Sequence, residues 1–167
     1  EDAYGRATAV YGPIDEWPTE IISGKTQIKE KNLSERLTEF MKISKDYGNN
    51  KEYILADGTY IMKAAVPIDA SNFYSGAKYV GYIVVDIDGE NKGKNDYGYD
   101  IFVFDITDQG IYPEGLADNN LTSSCFRYGY CTRWVIENGN MDYLKVGNDG
   151  KCPDGKTILS WTNTTCK

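Results

Sequence analysis

The chain has 167 residues and a mass of 18.8 kDa, enough for one domain with a single core. Its hydrophobic content of 41% is too high for a disordered polymer, so we expect it to fold. It has no histidine, which excludes Ser-His-Asp and Cys-His catalysis and His-ligated zinc.

The charge distribution and the longest apolar stretch exclude two further classes. The 18 Lys and Arg against 25 Asp and Glu give a net charge of −7, and the cations are dispersed among carboxylates, so no nucleic-acid partner is expected. The longest apolar stretch, residues 79–85, is well short of the roughly 18 residues that a membrane helix needs.

The first element in chain order is a helix over residues 3–11. Small and apolar residues recur at helical spacing until Gly12 and Pro13 stop the pattern. No initiator methionine precedes it. We therefore expect this segment to be the end of a longer helix whose upstream part has been removed.

A second helix is predicted to begin at Asn32. The Asn32 side chain and Glu35, three residues later, can satisfy each other's amides as a capping box. Gly48 supplies a left-handed C-terminal stop. One apolar face of this helix is formed by Leu33, Leu37, Phe40, Met41 and, more weakly, Ser44.

Beyond residue 50 the pattern favours strands. Asp57-Gly58 between two β-prone runs predicts a tight hairpin, and residues 79–85 and 101–106 predict two longer strands. Residues 132–137 and 142–146 around Asn138-Gly139-Asn140 predict a second hairpin. Helical pattern first and strands afterwards indicate an α+β fold, with a helix packed on one face of an antiparallel sheet.

The four cysteines lie in the last quarter of the chain and predict disulfides. Their spacings do not resemble the C-x-x-C pattern of zinc sites, although four buried free thiols in a cytosolic protein would be the alternative. Disulfides imply export to an oxidising compartment. Four cysteines allow three connectivities, and we favour the one in which both bonds close short loops: Cys125 with Cys131, and Cys152 with Cys166.

The loop of residues 86–100 is rich in Asp, Asn and Gly. Oxygen ligands for calcium could converge there from Asp86, Asp88, Asn95 and Asp100. The loop does not fit the EF-hand template, because Asn91 stands where that template has Gly and Tyr97 where it has Glu. The alternative is an Asx-turn loop whose side chains bond their own backbone.

A hydrolase with two carboxylates is a further alternative. Glycoside hydrolases need two carboxyls about 5 to 10 Å apart across a cleft. No spacing selects one pair among the 25 acidic residues, so we expect no enzyme activity; two buried carboxylates facing a cleft would revive this hypothesis.

The sequence contains, in this order, four characteristic segments, residues 11–17, 55–59, 85–89 and 93–104, followed by a turn at Pro113. Together these segments resemble the soluble ectodomain of bacterial type IV pilin-like proteins, the prepilins and pseudopilins. The resemblance covers roughly residues 1–146. Asp88 stands where many such proteins have Asn, and Lys94 where Pro is common.

The resemblance implies a structural protein. Pilin-like proteins carry an N-terminal apolar helix that anchors them in the inner membrane and then packs in the filament core. The partners would be other pilin subunits in a homo- or hetero-polymeric filament, and the protein would be extracellular, at the cell surface. The loop of residues 86–100 and the segments 125–131 and 152–166 are the candidates for contact with subunits or receptors.

The resemblance also divides the chain into segments of a single pilin-like domain. Residues 1–24 would hold the end of the N-terminal helix and a connection, and residues 25–50 a helix. Residues 51–146 would form the antiparallel sheet, and 147–167 a C-terminal disulfide loop. No cofactor is required, although calcium would order the acidic loop, as in secretion pseudopilins. The main rival is a secreted carbohydrate-binding or adhesive module.

Overall fold

The computed structural model describes residues 2–23, 25–49, 51–66, 73–74, 76–115, 129, 131–147 and 149–167. Within these ranges the helices are α1 (Asp2–Tyr11), α2 (Glu30–Thr38) and α3 (Thr132–Asn138), with short 3-10 helices at Ile14–Glu16 and Asp142–Lys145. The strands are β1 (Thr19–Ile22), β2 (Lys25–Ile28), β3 (Ile43–Asp46), β4 (Tyr53–Leu55), β5 (Tyr60–Ala65), β6 (Phe73–Tyr74), β7 (Ala77–Asp86), β8 (Ile101–Thr107) and β9 (Ile111–Pro113).

The strands form an antiparallel sheet and a separate hairpin. Six strands follow the order β3-β4-β5-β7-β8-β9, and β6 pairs with β7. β1 and β2 pair only with each other. The predicted combination of helices with an antiparallel sheet is confirmed.

One face of the main sheet packs under α1 and α2. Ala7 of α1 and Leu33 of α2 are fully buried in one cluster with Val80 of β7 and Ile106 of β8. The Tyr4 hydroxyl donates to the carbonyl oxygen of Thr107 at 3.0 Å, which fixes α1 at the end of β8. The small and apolar residues that recur at helical spacing in 3–11 therefore bury one side of α1 against the domain.

The opposite face of the sheet carries a smaller cluster and holds the C-terminal region. Val84, Ile101 and Val103 are buried there. The Val103 amide donates to the Thr132 hydroxyl at 2.8 Å, which ties the start of α3 to β8. A third cluster then surrounds Trp134 and Tyr143. The C-terminal region thus has its own small core beside the sheet.

Several predicted elements are confirmed. The helix over residues 3–11 is α1, and Gly12 follows it with a φ of +78°. The Asp57-Gly58 hairpin joins β4 to β5, with the Thr59 amide donating to Asp57 at 3.0 Å. The two longer strands are β7 and β8.

The second helix is shorter than predicted. It begins at Glu30 without a side-chain cap, so the capping box at Asn32 is wrong, and it ends at Thr38. Ile43–Asp46 is β3, and Gly48 follows that strand in a turn instead of ending a helix. The segment 25–50 therefore contains β2, α2 and β3, because pairing with β4 satisfies the backbone of residues 43–46.

The predicted second hairpin is wrong. Residues 132–138 form α3, and Gly139, with a φ of +63°, caps its C-terminus. Asp142–Lys145 is a 3-10 helix. Trp134 and Tyr143 are both buried, and helical geometry lets them share one cluster. The Asn-Gly-Asn sequence is therefore a helix stop, and the sheet predicted for 51–146 ends, among the described residues, at Pro113.

The disulfide between Cys152 and Cys166 is confirmed, with their Cα atoms 5.5 Å apart. The predicted partner of Cys131, Cys125, lies outside the described residues, so that pairing stays a prediction. Among the described residues, no helix has both the length and the apolarity to cross a bilayer.

Gly81 sets how closely β7 approaches its neighbours, which gives a first prediction. A Cβ at this position would lie 2.6 Å from the Ala65 carbonyl oxygen and 3.1 Å from the Leu33 side chain. Gly81→Ala should therefore lower the free energy of unfolding by roughly 2 kcal/mol, measured by urea denaturation.

The matched control is Gly5→Ala in α1, where a Cβ meets nothing within 4 Å. This substitution should raise the free energy of unfolding by up to about 1 kcal/mol, because alanine favours helix. Equal effects of the two substitutions would contradict the packing described for β7.

Candidate functional site

The acidic loop, residues 86–100, connects the two most extensively paired strands of the sheet. Asp86 is the last residue of β7 and lies opposite Ile101, the first residue of β8. The Ile87 amide donates to the Asp100 carbonyl oxygen at 3.0 Å. The loop is therefore closed at its base by the sheet itself.

Asp100 organises the second half of the loop. Its carboxylate is 6% exposed and accepts the backbone amides of Lys94, Asn95 and Asp96 at 2.6, 2.8 and 2.7 Å. Desolvation favours the neutral form, but the amide donors outweigh it and lower the pKa of Asp100. Asp100 is therefore ionised at neutral pH.

Asp86 holds the first half of the loop in the same way. It is 1% exposed, and its Oδ1 atom accepts the amides of Asp88 and Gly89 at 3.2 and 3.0 Å. Its Oδ2 atom is buried and has no hydrogen-bond partner in the described part of the chain. Among the described residues, one oxygen of this carboxylate therefore has no donor.

The carboxyls of the two halves meet beside Gly93. A Cβ built on Gly93 would lie 2.3 Å from Asp88 Oδ2 and 2.5 Å from Asp100 Oδ2, so both oxygens face this glycine. Desolvation, a hydrogen bond with the Asp86 carboxyl and the charges of Asp86 and Asp100 raise the pKa of Asp88. The loop therefore concentrates negative charge that its own amides only partly neutralise.

Three of the four predicted calcium ligands come together, and one does not. Asp86, Asp88 and Asp100 are neighbours, whereas Asn95 has an exposed side chain and joins the group only through its backbone amide. Within the described ranges, no three acidic, histidine or cysteine side chains are arranged to hold a metal ion. The carboxylates of Asp86 and Asp100 instead accept hydrogen bonds from backbone amides of the loop, as the Asx-turn alternative predicts.

A second candidate site is a cavity on the sheet face opposite α1 and α2. Its volume is about 400 Å³, within the usual range for small-molecule sites. Three tyrosines, Tyr79, Tyr82 and Tyr97, line it together with the carboxyls of Asp105 and Glu114. Because Tyr97 belongs to the acidic loop, that loop forms part of the cavity wall.

The two carboxyls of the cavity are hydrogen-bonded to each other. Asp105 is 2% exposed and lies between Tyr82 of β7 and Tyr112 of β9 in the sheet register. Burial, the hydrogen bond to Glu114 and the charge of Glu114 raise the pKa of Asp105 to about 9. At neutral pH Asp105 is therefore protonated and donates to Glu114.

Sequence reasoning did not single out this pair. A signal was present, since Asp105 interrupts an otherwise apolar strand and shares the period-two face of Ile101 and Val103. Glu114 follows β9 and carries no such signal. Its position is fixed by its amide, which donates to the Val103 carbonyl oxygen, and by its carbonyl, which accepts the Arg133 amide.

The pair bears on the hydrolase hypothesis. Two carboxyls face a cavity, as that hypothesis requires, but they contact each other. Glycoside hydrolysis needs them about 5 to 10 Å apart, with the sugar between them. We therefore do not assign this reaction to Asp105 and Glu114.

Comparison of the chain with protein-family models, curated proteins and solved structures gave no match. The pilin-like interpretation therefore stays a prediction.

The protonated state of Asp105 gives a second prediction, on pH. Above about pH 4 the unfolded chain releases this proton, whereas the folded protein keeps it up to about pH 9. This residue therefore lowers the free energy of unfolding as the pH rises from about 4 to 9. Asp105→Asn, which can still donate to Glu114, should remove the effect.

Urea denaturation of both proteins from pH 4 to pH 8 measures the difference. The variant should gain stability over the wild type progressively across this range, by more than about 1 kcal/mol at the upper end. Parallel pH profiles would show that Asp105 is ionised in the folded protein.

Proposed function

We propose that this chain is the globular domain of a structural subunit of an extracellular type IV pilin-like filament, acting in assembly, adhesion or surface presentation. The observation that carries the proposal is the attachment of α1. Ala7 is fully buried in the main core and Tyr4 is bonded to the end of β8, so the helix is an integral part of the domain.

The other side of α1 supports the same proposal. Val10 is 61% exposed, although its neighbours on the buried side are packed. In a filament, the exposed side of such a helix would face neighbouring subunits. In β1 of the β1–β2 hairpin, Ile21 is 75% exposed and offers a second apolar contact.

Features further along the chain also agree with a pilin-like domain. The helices cover one face of an antiparallel sheet, the glycine-rich acidic loop joins its central strands, and the disulfide closes the C-terminal region. These features accompany the motifs that resemble pilin-like proteins. Major pilin, minor pilin and pseudopilin are all compatible with them.

The exposed side of α1 gives a third prediction. In the native host, Val10→Asp should reduce the protein recovered in filaments sheared from the cell surface severalfold, because a charge would have to be desolvated between subunits. Immunogold labelling with antiserum against this domain identifies the filaments. The melting temperature of the isolated domain should not change, since Val10 is exposed.

The matched control is Ile136→Asp, which places the same charge on an exposed position of α3, 60% accessible. This variant should assemble like the wild type. Label that is confined to the culture supernatant, with no filament stained, would contradict the proposal and favour a secreted adhesive module.

We also propose that calcium binds the acidic loop. The unpartnered Oδ2 atom of Asp86 and the raised pKa of Asp88 both indicate a local excess of negative charge. Calcium takes six to eight oxygen ligands, so Asp86, Asp88 and Asp100 would have to rearrange around the ion, and backbone carbonyls and water would complete the site.

Differential scanning fluorimetry tests this fourth prediction. Calcium should raise the melting temperature by several degrees relative to EGTA. Asp88→Asn should raise it in EGTA, because a like charge is removed, and should abolish the response to calcium. Asp96→Asn, an exposed change in the same loop, should keep the response. Equal melting temperatures in calcium and EGTA would exclude the metal.

A further inference from the structure

We propose that the cavity lined by Asp105, Glu114 and three tyrosines binds a primary alkylammonium group, supplied either by a small free amine or by a lysine side chain. This inference is independent of the proposed filament. It follows from the cavity's shape, its paired carboxyls and its aromatic wall.

The carboxyl pair supplies the charge that an ammonium group requires. Asp105 keeps its proton and donates a hydrogen bond to Glu114, so the pair carries one negative charge while the cavity is empty. An ammonium group placed between them could donate to both carboxylates, and these charge-assisted bonds would replace the bond that the carboxyls now make to each other. Asp105 would then lose its proton to solvent, so that one ammonium contacts two carboxylates and the site carries one net negative charge, as the empty pair does.

The aromatic wall suits the same ligand. Tyrosine faces attract cations, most strongly where water is excluded. One of these rings already contacts an ammonium group, since Lys63 Nζ, which does not itself line the cavity, is 5.2 Å from the centre of the Tyr82 ring. Lys63 is exposed, and its pKa is raised first by its hydrogen bond to the Tyr82 hydroxyl. The Tyr82 ring therefore already attracts one cation, and Asp105, which is 2% exposed, offers a buried carboxyl to another.

The apolar surface selects an alkyl chain. Val84 and Val103 also line the cavity and are 6% and 8% exposed. A straight alkyl chain can lie against these valines and the tyrosine rings while its ammonium end reaches Asp105. A volume of about 400 Å³ holds such a chain easily.

Isothermal titration calorimetry tests the proposal, with n-butylamine as the free amine and Nα-acetyl-lysine amide as the side-chain probe. Both should bind at pH 7 with release of about one proton, detected by repeating the titration in buffers of different ionisation enthalpy. Affinity should rise by up to about tenfold per pH unit toward pH 9. Tighter binding of one probe identifies the source of the ammonium group.

The variants assign the binding to this cavity. Asp105→Asn and Glu114→Gln should each weaken binding at least about tenfold, and Asp105→Asn should remove the proton release. Asp57→Asn, which removes a carboxylate from the exposed β4–β5 turn, should change neither. n-Butanol, which has the same chain without the charge, should not bind.

Three results would overturn the proposal. They are the absence of binding by both amines at pH 8, binding that Asp105→Asn and Glu114→Gln leave unchanged, and binding of n-butanol or glucose as tight as that of the amines. Since Asp105→Asn is expected to stabilise the fold, a loss of binding in that variant with an intact melting transition reports on the site itself.

Discussion

The pairing of β7 with β8 is the interaction on which the rest of the structure depends. One face of this ladder supplies Val80 and Ile106 to the core under α1 and α2, and the other supplies Tyr82 and Asp105 to the cavity. The connection between the two strands is the acidic loop. Because side chains alternate along a strand, a shift of one residue in this register would exchange the apolar core with the carboxyl-lined face. The hydrogen bonds between β7 and β8 therefore fix the positions of both candidate sites and of the surface on which α1 packs.

Each candidate site contains a buried aspartate, and the two aspartates have opposite protonation states. In the acidic loop, backbone amides surround Asp100 and keep it ionised despite its burial. In the cavity, Asp105 has a carboxyl neighbour instead of amide donors, and it stays protonated. Tyr97 belongs to the loop and also lines the cavity, so a change in the loop's conformation would alter the cavity wall. The difference between the sites comes from which donors the backbone presents, since the residue type is the same.

The sequence predicted elements well where local chemistry decides them, as in α1 with its stop at Gly12 and the hairpin at Asp57-Gly58. It failed where tertiary contacts decide. Residues 43–46 continue a helical pattern, but their strand pairing with β4 prevails. Asn138-Gly139 can serve a hairpin or a helix end, and the burial of Trp134 with Tyr143 selects the helix. At the sites, the clustering of Asp86, Asp88 and Asp100 followed from their spacing. The pair of Asp105 with Glu114 did not, because it depends on the register between β8 and the residue after β9.

The backbone bonding of Asp100 has a consequence for how the loop meets proteases. Lys92 and Lys94 are exposed on a long surface loop, the kind of segment that trypsin usually cuts. A protease must draw several residues around the scissile bond into an extended strand within its cleft. The amides of Lys94, Asn95 and Asp96 are all turned inward onto one carboxylate, so this stretch cannot straighten without exposing a buried anion. A segment that is accessible by surface area is therefore protected from proteolysis by its conformation.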